Sequence, residues 1–96
     1  MDFKIVIEPN AIIDIQKAID YYNNQQSGLG EKFSYAINRY IESLDKNPYF
    51  QIRYKDYRTL PVKGFPFVIF FYIDHVNKTV YISSIFNTSM NPDKYP

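Results

Sequence analysis

The sequence contains no cysteine, only one histidine and only three glycines in 96 residues. Without cysteine the chain can form no disulfide, offer no thiol nucleophile and build no cysteine-based zinc site, which is typical of proteins in a reducing compartment. One histidine and scattered carboxylates give no metal-ligand spacing. The sequence therefore predicts neither a metal nor a cofactor.

Long apolar runs and targeting segments are also missing. The longest apolar candidate, Phe65–Ile73, is interrupted by Pro66, whereas a membrane-spanning helix needs about 18 or more apolar residues in a row. The N-terminus MDFKIVIEPN lacks the basic region and the longer apolar region of a signal peptide. We therefore expect a soluble, cytoplasmic protein that does not engage a membrane.

The net charge is only +1, which is too weak to indicate a nucleic-acid-binding protein. The charge is unevenly distributed, however. Residues 45–63 contain five basic and two acidic residues, a local charge of +3, which leaves −2 for the rest of the chain. This pattern predicts one basic face on a nearly neutral molecule.

The first half of the chain predicts a strand followed by two helices. Phe3–Glu8 is rich in Ile, Val and Phe, and Pro9 is expected to close this strand. Asn10 is the predicted N-cap of a helix whose apolar face follows Ile12, Ile15, Ile19 and Tyr22. Glycines at 28 and 30 predict a turn, and a second apolar period runs from Glu31 to Leu44, before Asn47-Pro48. The helices are expected to form an antiparallel hairpin.

The second half is rich in β-branched and aromatic residues. Four runs separated by turn residues predict hairpin-linked strands: Tyr49–Tyr54, Tyr57–Val62, Phe65–Ile73 and Thr79–Phe86. The third run is apolar on both faces and predicts a central strand. The order β-α-α-β-β-β, with one further β, predicts an α+β fold in which a helical hairpin covers a mostly antiparallel sheet. At this length, residues 1–96 are expected to form a single domain.

Several landmarks, in this order, resemble the RelE/ParE superfamily of toxins from type II toxin–antitoxin systems, also called plasmid-stabilisation proteins. They are Pro9 with Ala11, Asp14, Ile15, Ala18, Ile19, Tyr21 and Tyr22; Gly28-Leu29-Gly30-Glu31-Lys32-Phe33; Asn47-Pro48; Tyr57-Arg58 with Leu60; Phe65-Pro66-Phe67-Val68-Ile69-Phe70-Phe71; and Asn87-Thr88-Ser89-Met90-Asn91-Pro92-Asp93-Lys94-Tyr95. The Gly-Leu-Gly-Glu-Lys-Phe turn is most similar to the ParE-like branch. The resemblance spans nearly the whole chain.

The resemblance implies a growth-inhibiting toxin that is neutralised by a cognate antitoxin. It also implies that the toxin forms a homodimer, or a heterotetramer with the antitoxin. ParE-like members inhibit DNA gyrase, which is the preferred interpretation. RelE-like members are ribosome-dependent endoribonucleases, so the alternative partners are the ribosome and mRNA. A third hypothesis keeps the fold and the antitoxin-binding surface without toxicity.

If the chain cleaves RNA, it needs a base, an acid and a cation for the phosphate. Arg58 is the candidate cation, with Lys94 and Tyr95 as a further cation and acid; Arg58 could instead be a structural residue that pairs with Asp56. Arg53, Lys55 and Lys63 extend the candidate binding patch, although charges on an exposed strand also prevent aggregation. His75 is expected in a solvent-exposed loop with no partner in reach.

The C-terminal segment departs from the nuclease pattern. Asn87 and Met90 are candidate binding residues, but they lie where many relatives carry His and Arg. Asparagine is not a general base near neutral pH, and methionine cannot neutralise phosphate. This departure is the main reason to prefer gyrase inhibition over RNA cleavage.

Aromatic residues make up 19% of the chain, more than a small core requires. Tyr21, Tyr22, Tyr40 and the Phe65–Phe71 run are expected to be core and helix–sheet contacts, because aromatic stripes at regular spacing usually pack. Alternatively, some of these side chains line a groove for an antitoxin segment, since aromatic anchors are enriched at interfaces.

Overall fold

The computed structural model describes residues 2–89, and within them two helices pack on a five-stranded sheet. The elements are β1 (Lys4–Ile7), α1 (Pro9–Gln25), α2 (Leu29–Ser43), β2 (Ile52–Tyr54), β3 (Tyr57–Val62), β4 (Phe67–Asp74) and β5 (Thr79–Asn87). The strand order is β1-β5-β4-β3-β2, with β1 parallel to β5 and all other pairs antiparallel. The predicted α+β fold with its helical hairpin is confirmed. None of the helices in the described range is long and apolar enough to cross a membrane.

The first helix begins earlier than predicted. Glu8, not Asn10, is the N-cap, and Pro9 is the first helical residue. Proline is well tolerated there, because its missing N–H would have no partner in the first turn and its φ already suits a helix. Strand β1 therefore enters α1 with no intervening loop.

The buried face of α1 follows the predicted stripe except at its start, since Ile15 and Ile19 pack against the core as expected and Ile12 does not. Ala11, Ala18 and Tyr22 are buried, whereas Ile12 keeps 55% of its surface exposed. Ala11 and Ala18, which lie beside the predicted stripe, are fully or almost fully buried, and their small side chains allow the helix to approach the sheet closely. Tyr21 was also expected to pack, but it is 57% exposed.

The connection between α1 and α2 depends on two glycines. Gly28 is the N-cap of α2 and has φ +87°, a conformation that side chains disfavour. Gly30 lies so close to α1 that an added Cβ would sit 2.6 Å from the Ile19 carbonyl oxygen. Its N–H donates to Asn23 Oδ1 at 2.8 Å, which fixes the start of α2 against the end of α1. Helix α2 thus begins at Leu29 and not at Glu31.

The core lies between the helices and one face of the sheet. Phe33 of α2 is fully buried, and its ring lies 5.4 Å from that of Tyr22 and 5.2 Å from that of Phe65. Phe67, Ile69 and Phe71 of β4 belong to the same cluster, which confirms that this strand is a packing element. The central position of β4 explains why its sequence is apolar on both faces.

Strand β1 begins one residue later than predicted, at Lys4, and two strands of the second half are shortened further at their starts. Strand β2 includes only Ile52–Tyr54, because Phe50 donates its N–H to Pro48 and the chain turns there. Strand β4 begins at Phe67, since Phe65 donates to Val62 in a turn and Pro66 has no N–H for the ladder. The register of β4 and β5 shifts at Phe70/Phe71, where Phe70 pairs with Ser84 and Phe71 with Ile82. Ser83 is the extra residue of this bulge.

Candidate functional site

The sheet face opposite the helices carries a cluster of aromatic side chains, which we call the aromatic face: Tyr57, Phe70, Tyr72, Tyr81 and Phe86. The rings of Tyr72 and Tyr81 are stacked, with centroids 5.1 Å apart. Tyr57 makes edge contacts with Tyr72 and Phe70, and Phe70 makes one with Phe86. Because strand residues alternate between faces, this cluster is separate from Ile69 and Phe71 in the core.

A hydrogen bond joins the aromatic face to the junction between β1 and α1. The Tyr72 hydroxyl donates to Glu8 Oε2 at 2.8 Å. This bond, together with burial of the ring, raises the pKa of Tyr72 to about 12. At neutral pH Tyr72 is a protonated phenol held by a carboxylate, which makes it a structural donor and a poor general base.

A second candidate site is a cavity of about 600 Å³ at the edge formed by β2, β3 and β4. Arg58, Tyr57, Tyr72 and His75 contribute to its lining. The Arg58 guanidinium donates from Nη1 to the Phe50 carbonyl oxygen at 2.7 Å and lies 5.5 Å from the centre of the Tyr49 ring. Arg58 therefore anchors the segment that precedes β2. Among residues 2–89 no ion pair joins it to Asp56.

His75 has a partner that the sequence did not indicate. It lies in the β4–β5 turn and stacks on the Tyr49 ring, with centroids 5.9 Å apart. The turn is fixed by Asp74, whose carboxylate accepts from the Asn77 N–H and side-chain amide, and these bonds lower the pKa of Asp74. The prediction of an exposed loop histidine is confirmed, but the expectation that nothing lies within its reach is wrong.

The other predicted basic residues do not form one continuous patch. Lys55 lies in the β2–β3 turn and lines the same cavity as Arg58. Arg53 is exposed on β2, and Lys63 is exposed beyond the opposite end of β3, where its N–H donates to the Tyr40 hydroxyl. Lys55 and Arg58 line one cavity, Arg53 follows Ile52, the pairing partner of Arg58, and Lys63 lies at the far end of β3.

Comparison with known proteins identifies the family. Residues 5–92 match the family described as ParE toxin of type II toxin–antitoxin system, parDE. The chain belongs to the ParE toxin family. A comparison with curated protein sequences gives no match.

Solved structures of toxin–antitoxin systems share the fold of this ParE-family chain. The structure titled chromosomal ParDE TA system from P. aeruginosa has a TM-score of 0.79 at 18% identity, and the match covers 88% of this chain and 95% of that chain. The RelBE2 toxin–antitoxin complex from Mycobacterium tuberculosis has a TM-score of 0.69 at 15% identity, with 91% and 99% covered. At these identities the likeness concerns the fold.

Asn87 is the last residue of strand β5 in this ParE-family chain. Its side-chain Oδ1 accepts hydrogen bonds from the Ser89 N–H at 2.9 Å and from the Ser89 hydroxyl at 2.7 Å. The amide thus organises the turn that follows the strand. Met90, Lys94 and Tyr95, the other predicted residues of the C-terminal segment, lie outside the described residues, and their roles stay predictions.

The contacts of Glu8, Tyr72 and Tyr49 were missed from sequence. The Tyr72–Tyr81 pair has a usable signal, because both residues are equally distant from the β4–β5 turn, whose end pair is Asp74 and Thr79. The Tyr49 contacts have no such signal, since the ring lies in an irregular segment and meets Phe3, Arg58 and His75 from three other places in the chain.

Proposed function

We propose that this ParE-family chain is the toxin of a type II toxin–antitoxin system, that it inhibits DNA gyrase in the cytoplasm, and that a cognate antitoxin neutralises it. The observation that carries the proposal is the match of residues 5–92 to the ParE toxin family. The structural likeness to proteins titled as ParDE and RelBE2 toxin–antitoxin systems supports an antitoxin as the partner.

The arrangement of polar side chains favours gyrase inhibition over RNA cleavage. A nuclease of this kind needs a base beside a cation at the scissile phosphate. Arg58 donates to a backbone carbonyl, and His75 is stacked on Tyr49. Asn87 accepts from Ser89 and has no proton-accepting nitrogen at neutral pH. Arg58 and His75 line the same cavity, but within residues 2–89 both side chains are engaged by Tyr49 or Phe50, which supports structural roles over a base–cation pair.

The test follows DNA and RNA in the same culture after the protein is induced. Gyrase inhibition predicts growth arrest, relaxed plasmid and intact mRNA ends. Codon-phased cleavage of polysomal mRNA with normal supercoiling would contradict the proposal and support the nuclease. Normal growth under strong induction would contradict both and support the third hypothesis, a toxin fold without toxicity.

A matched variant strengthens this test. The double variant Lys94→Ala, Tyr95→Phe removes the acid and the second cation that the nuclease hypothesis requires. We expect the variant to retain its toxicity and its effect on supercoiling. Loss of toxicity at an unchanged level of folded protein would instead favour the nuclease hypothesis.

A further inference from the structure

One end of the sheet carries an exposed aromatic ring that three neighbours hold in place. Tyr49 keeps 56% of its surface exposed. Its ring makes an edge contact with Phe3, with centroids 5.8 Å apart, stacks on His75 at 5.9 Å and lies 5.5 Å from the Arg58 guanidinium. A side chain that is already ordered loses less conformational entropy when a partner covers it. Tyr49 is therefore prepared for contact with another molecule.

The cavity of about 600 Å³ at the edge of β2, β3 and β4 lies beside this ring. Arg58 and His75 both contact Tyr49 and both line the cavity, so the ring forms part of its rim. Within residues 2–89, the hydrogen bond of the Arg58 side chain is the one from Nη1 to the Phe50 carbonyl. A guanidinium has further N–H donors in a planar fork, which suits a carboxylate. Arg58 is thus anchored and still has donors for a ligand.

Apolar side chains surround the cavity on its exposed side. Ile52 of β2 is 50% exposed, and Val76, which follows His75 in the β4–β5 turn, is 91% exposed. Exposed apolar side chains that lie together, next to charged groups, are typical of protein-interaction sites. We call this region the Tyr49 surface: Tyr49, Ile52, Lys55, Arg58, His75 and Val76.

The charges around the Tyr49 surface are mostly positive. Among the described residues that line the cavity, Lys55 and Arg58 outnumber the single acid, Asp56. Lys78 adds a cation nearby, since its Nζ lies 4.7 Å from the centre of the Phe3 ring. The carboxylate of Asp74 accepts hydrogen bonds from Asn77, so it is already engaged within its own turn. The complementary ligand therefore carries carboxylates.

We propose that the chain binds DNA gyrase through the Tyr49 surface, where a segment of gyrase presents a carboxylate to Arg58 and an apolar side chain to Tyr49 and Ile52. The inference rests on the proposed function, because it takes gyrase as the target, and it adds the surface and the chemistry of contact. Tyrosine and arginine are enriched among the residues that contribute most to binding in protein complexes. The ordered ring and the anchored guanidinium supply one of each.

The composition of the surface favours a protein segment over nucleic acid. Interfaces with DNA or RNA are much more positively charged than those between proteins, because the cations must neutralise a row of phosphates. Here Asp56 lies among the cations of the cavity and would repel such a row. The side chains of Ile52 and Val76 offer a phosphate no hydrogen-bond donor. An apolar area combined with a few charges is the usual pattern of a protein interface.

Two exposed aliphatic residues provide a matched pair of variants. Val76→Glu places an acid within the Tyr49 surface, whereas Ile13→Glu places the same acid on α1, at a position that is 51% exposed. The probe is purified, assembled gyrase, titrated by calorimetry with the full chain in the presence and in the absence of a DNA fragment. We expect Val76→Glu to weaken binding about ten-fold or more, and Ile13→Glu to change it less than about two-fold. Equal melting temperatures of both variants and wild type verify that folding is unchanged.

Asp56→Asn gives a signature that a merely structural role would not produce. The variant removes the acid from the cavity lining and keeps the size of an exposed side chain in a turn, where asparagine is well tolerated. We expect it to bind gyrase several-fold more tightly than wild type, with a gain that shrinks as salt is added. Unchanged or weaker binding by a folded Asp56→Asn chain would contradict an acidic partner at this surface.

The outcomes separate this inference from the proposed function. If the wild-type chain binds gyrase and inhibits supercoiling, and Val76→Glu does both equally well, the surface assignment is wrong while gyrase inhibition stands. If the wild-type chain neither binds gyrase nor inhibits supercoiling, the proposed function fails and this inference with it. If the wild-type chain binds the DNA fragment without gyrase, and Val76→Glu abolishes that binding, the surface belongs to nucleic acid and the proposal is overturned.

Discussion

Glu8 joins three parts of the molecule through one residue. Its N–H donates to Ile82 in the sheet, its carbonyl accepts from Ile12 in the first turn of α1, and its carboxylate accepts from Tyr72. The backbone contacts connect β1 directly to α1, and the side chain adds the aromatic face. Glu8, immediately before Pro9, thus connects the sheet, helix α1 and the aromatic face.

The Tyr72–Glu8 bond predicts a specific dependence of stability on pH. The folded chain holds the Tyr72 proton up to a pKa of about 12, whereas an unfolded tyrosine loses it near 10. The contribution of this group is therefore complete below about pH 10 and is lost as the pH rises toward 12. Urea unfolding from pH 9 to pH 12 should show the difference between wild type and Tyr72→Phe shrinking across this window. A constant difference would contradict the assignment.

Gly30 is predicted to resist even the smallest enlargement. Alanine normally stabilises a helix relative to glycine, but a Cβ here would lie 2.6 Å from the Ile19 carbonyl oxygen and from the Asn23 side chain. We expect Gly30→Ala to lower the free energy of unfolding by about 1–3 kcal/mol. Asn38→Ala, at an exposed position of the same helix, should change it by less than about 0.5 kcal/mol. Equal stability of Gly30→Ala and wild type would show that the helices can separate at no cost.

Arg58 is predicted to stabilise the fold through the segment it anchors. Arg58→Ala removes the charged donor of the Phe50 carbonyl and the cation beside Tyr49. Since hydrogen bonds to charged groups contribute about 1.5–3 kcal/mol, we expect a loss of that order in urea unfolding. If toxicity disappears while the urea midpoint is unchanged, Arg58 acts in function and not in folding.

At the scale of the elements, the helix and strand types and most of their buried faces follow from sequence, while several of their ends do not. Alternation and apolar spacing predict every helix and strand of the described range, because these elements bury one face or two against a common core. Of the stripe predicted for α1, Ile12 is exposed, because Ala11 takes the buried position in the first turn; alanine contributes little to a hydrophobicity pattern yet permits close packing. The start of α1 was misplaced because Pro9 suits both the end of a strand and the start of a helix.

The sheet is predicted to differ in stability from its centre to its edge. Strands β4 and β5 pair over eight residue positions in the middle of the sheet, whereas β2 has three residues, and Ile52 within it is half exposed. Hydrogen exchange should therefore show the amides of β4 and β5 as the most protected and those of β2 as among the least. Protection of β2 equal to that of β4 would contradict this gradient.

Hydrogen exchange of the Ile85 amide measures the contact between α1 and the sheet. The Ile85 N–H is bonded to the Asp14 carboxylate and not to a neighbouring strand. We expect Asp14→Ala to accelerate exchange at Ile85 while the amides of β4 keep their protection. Unchanged exchange at Ile85 would show that the carboxylate is not its partner in solution.

At the scale of the whole molecule, the sequence predicts the family better than it predicts the site. The order of the sequence landmarks from Pro9 onward is enough to predict the ParE family, because each landmark marks a turn, a helix end or a strand that the fold requires. The surroundings of Arg58 could not be predicted, because Tyr49 and Phe50 reach it through irregular backbone. The cavity of about 460 Å³ between α1 and the end of β5 could not be predicted either, because it depends on where β1 stops along β5.

The most direct test of the central claim is a supercoiling assay with purified DNA gyrase, relaxed plasmid and the purified chain. Gyrase inhibition predicts a dose-dependent loss of supercoiling that the protein from the adjacent reading frame reverses. Full supercoiling at every dose, together with codon-phased cleavage when the same preparation meets translating ribosomes, would contradict the account.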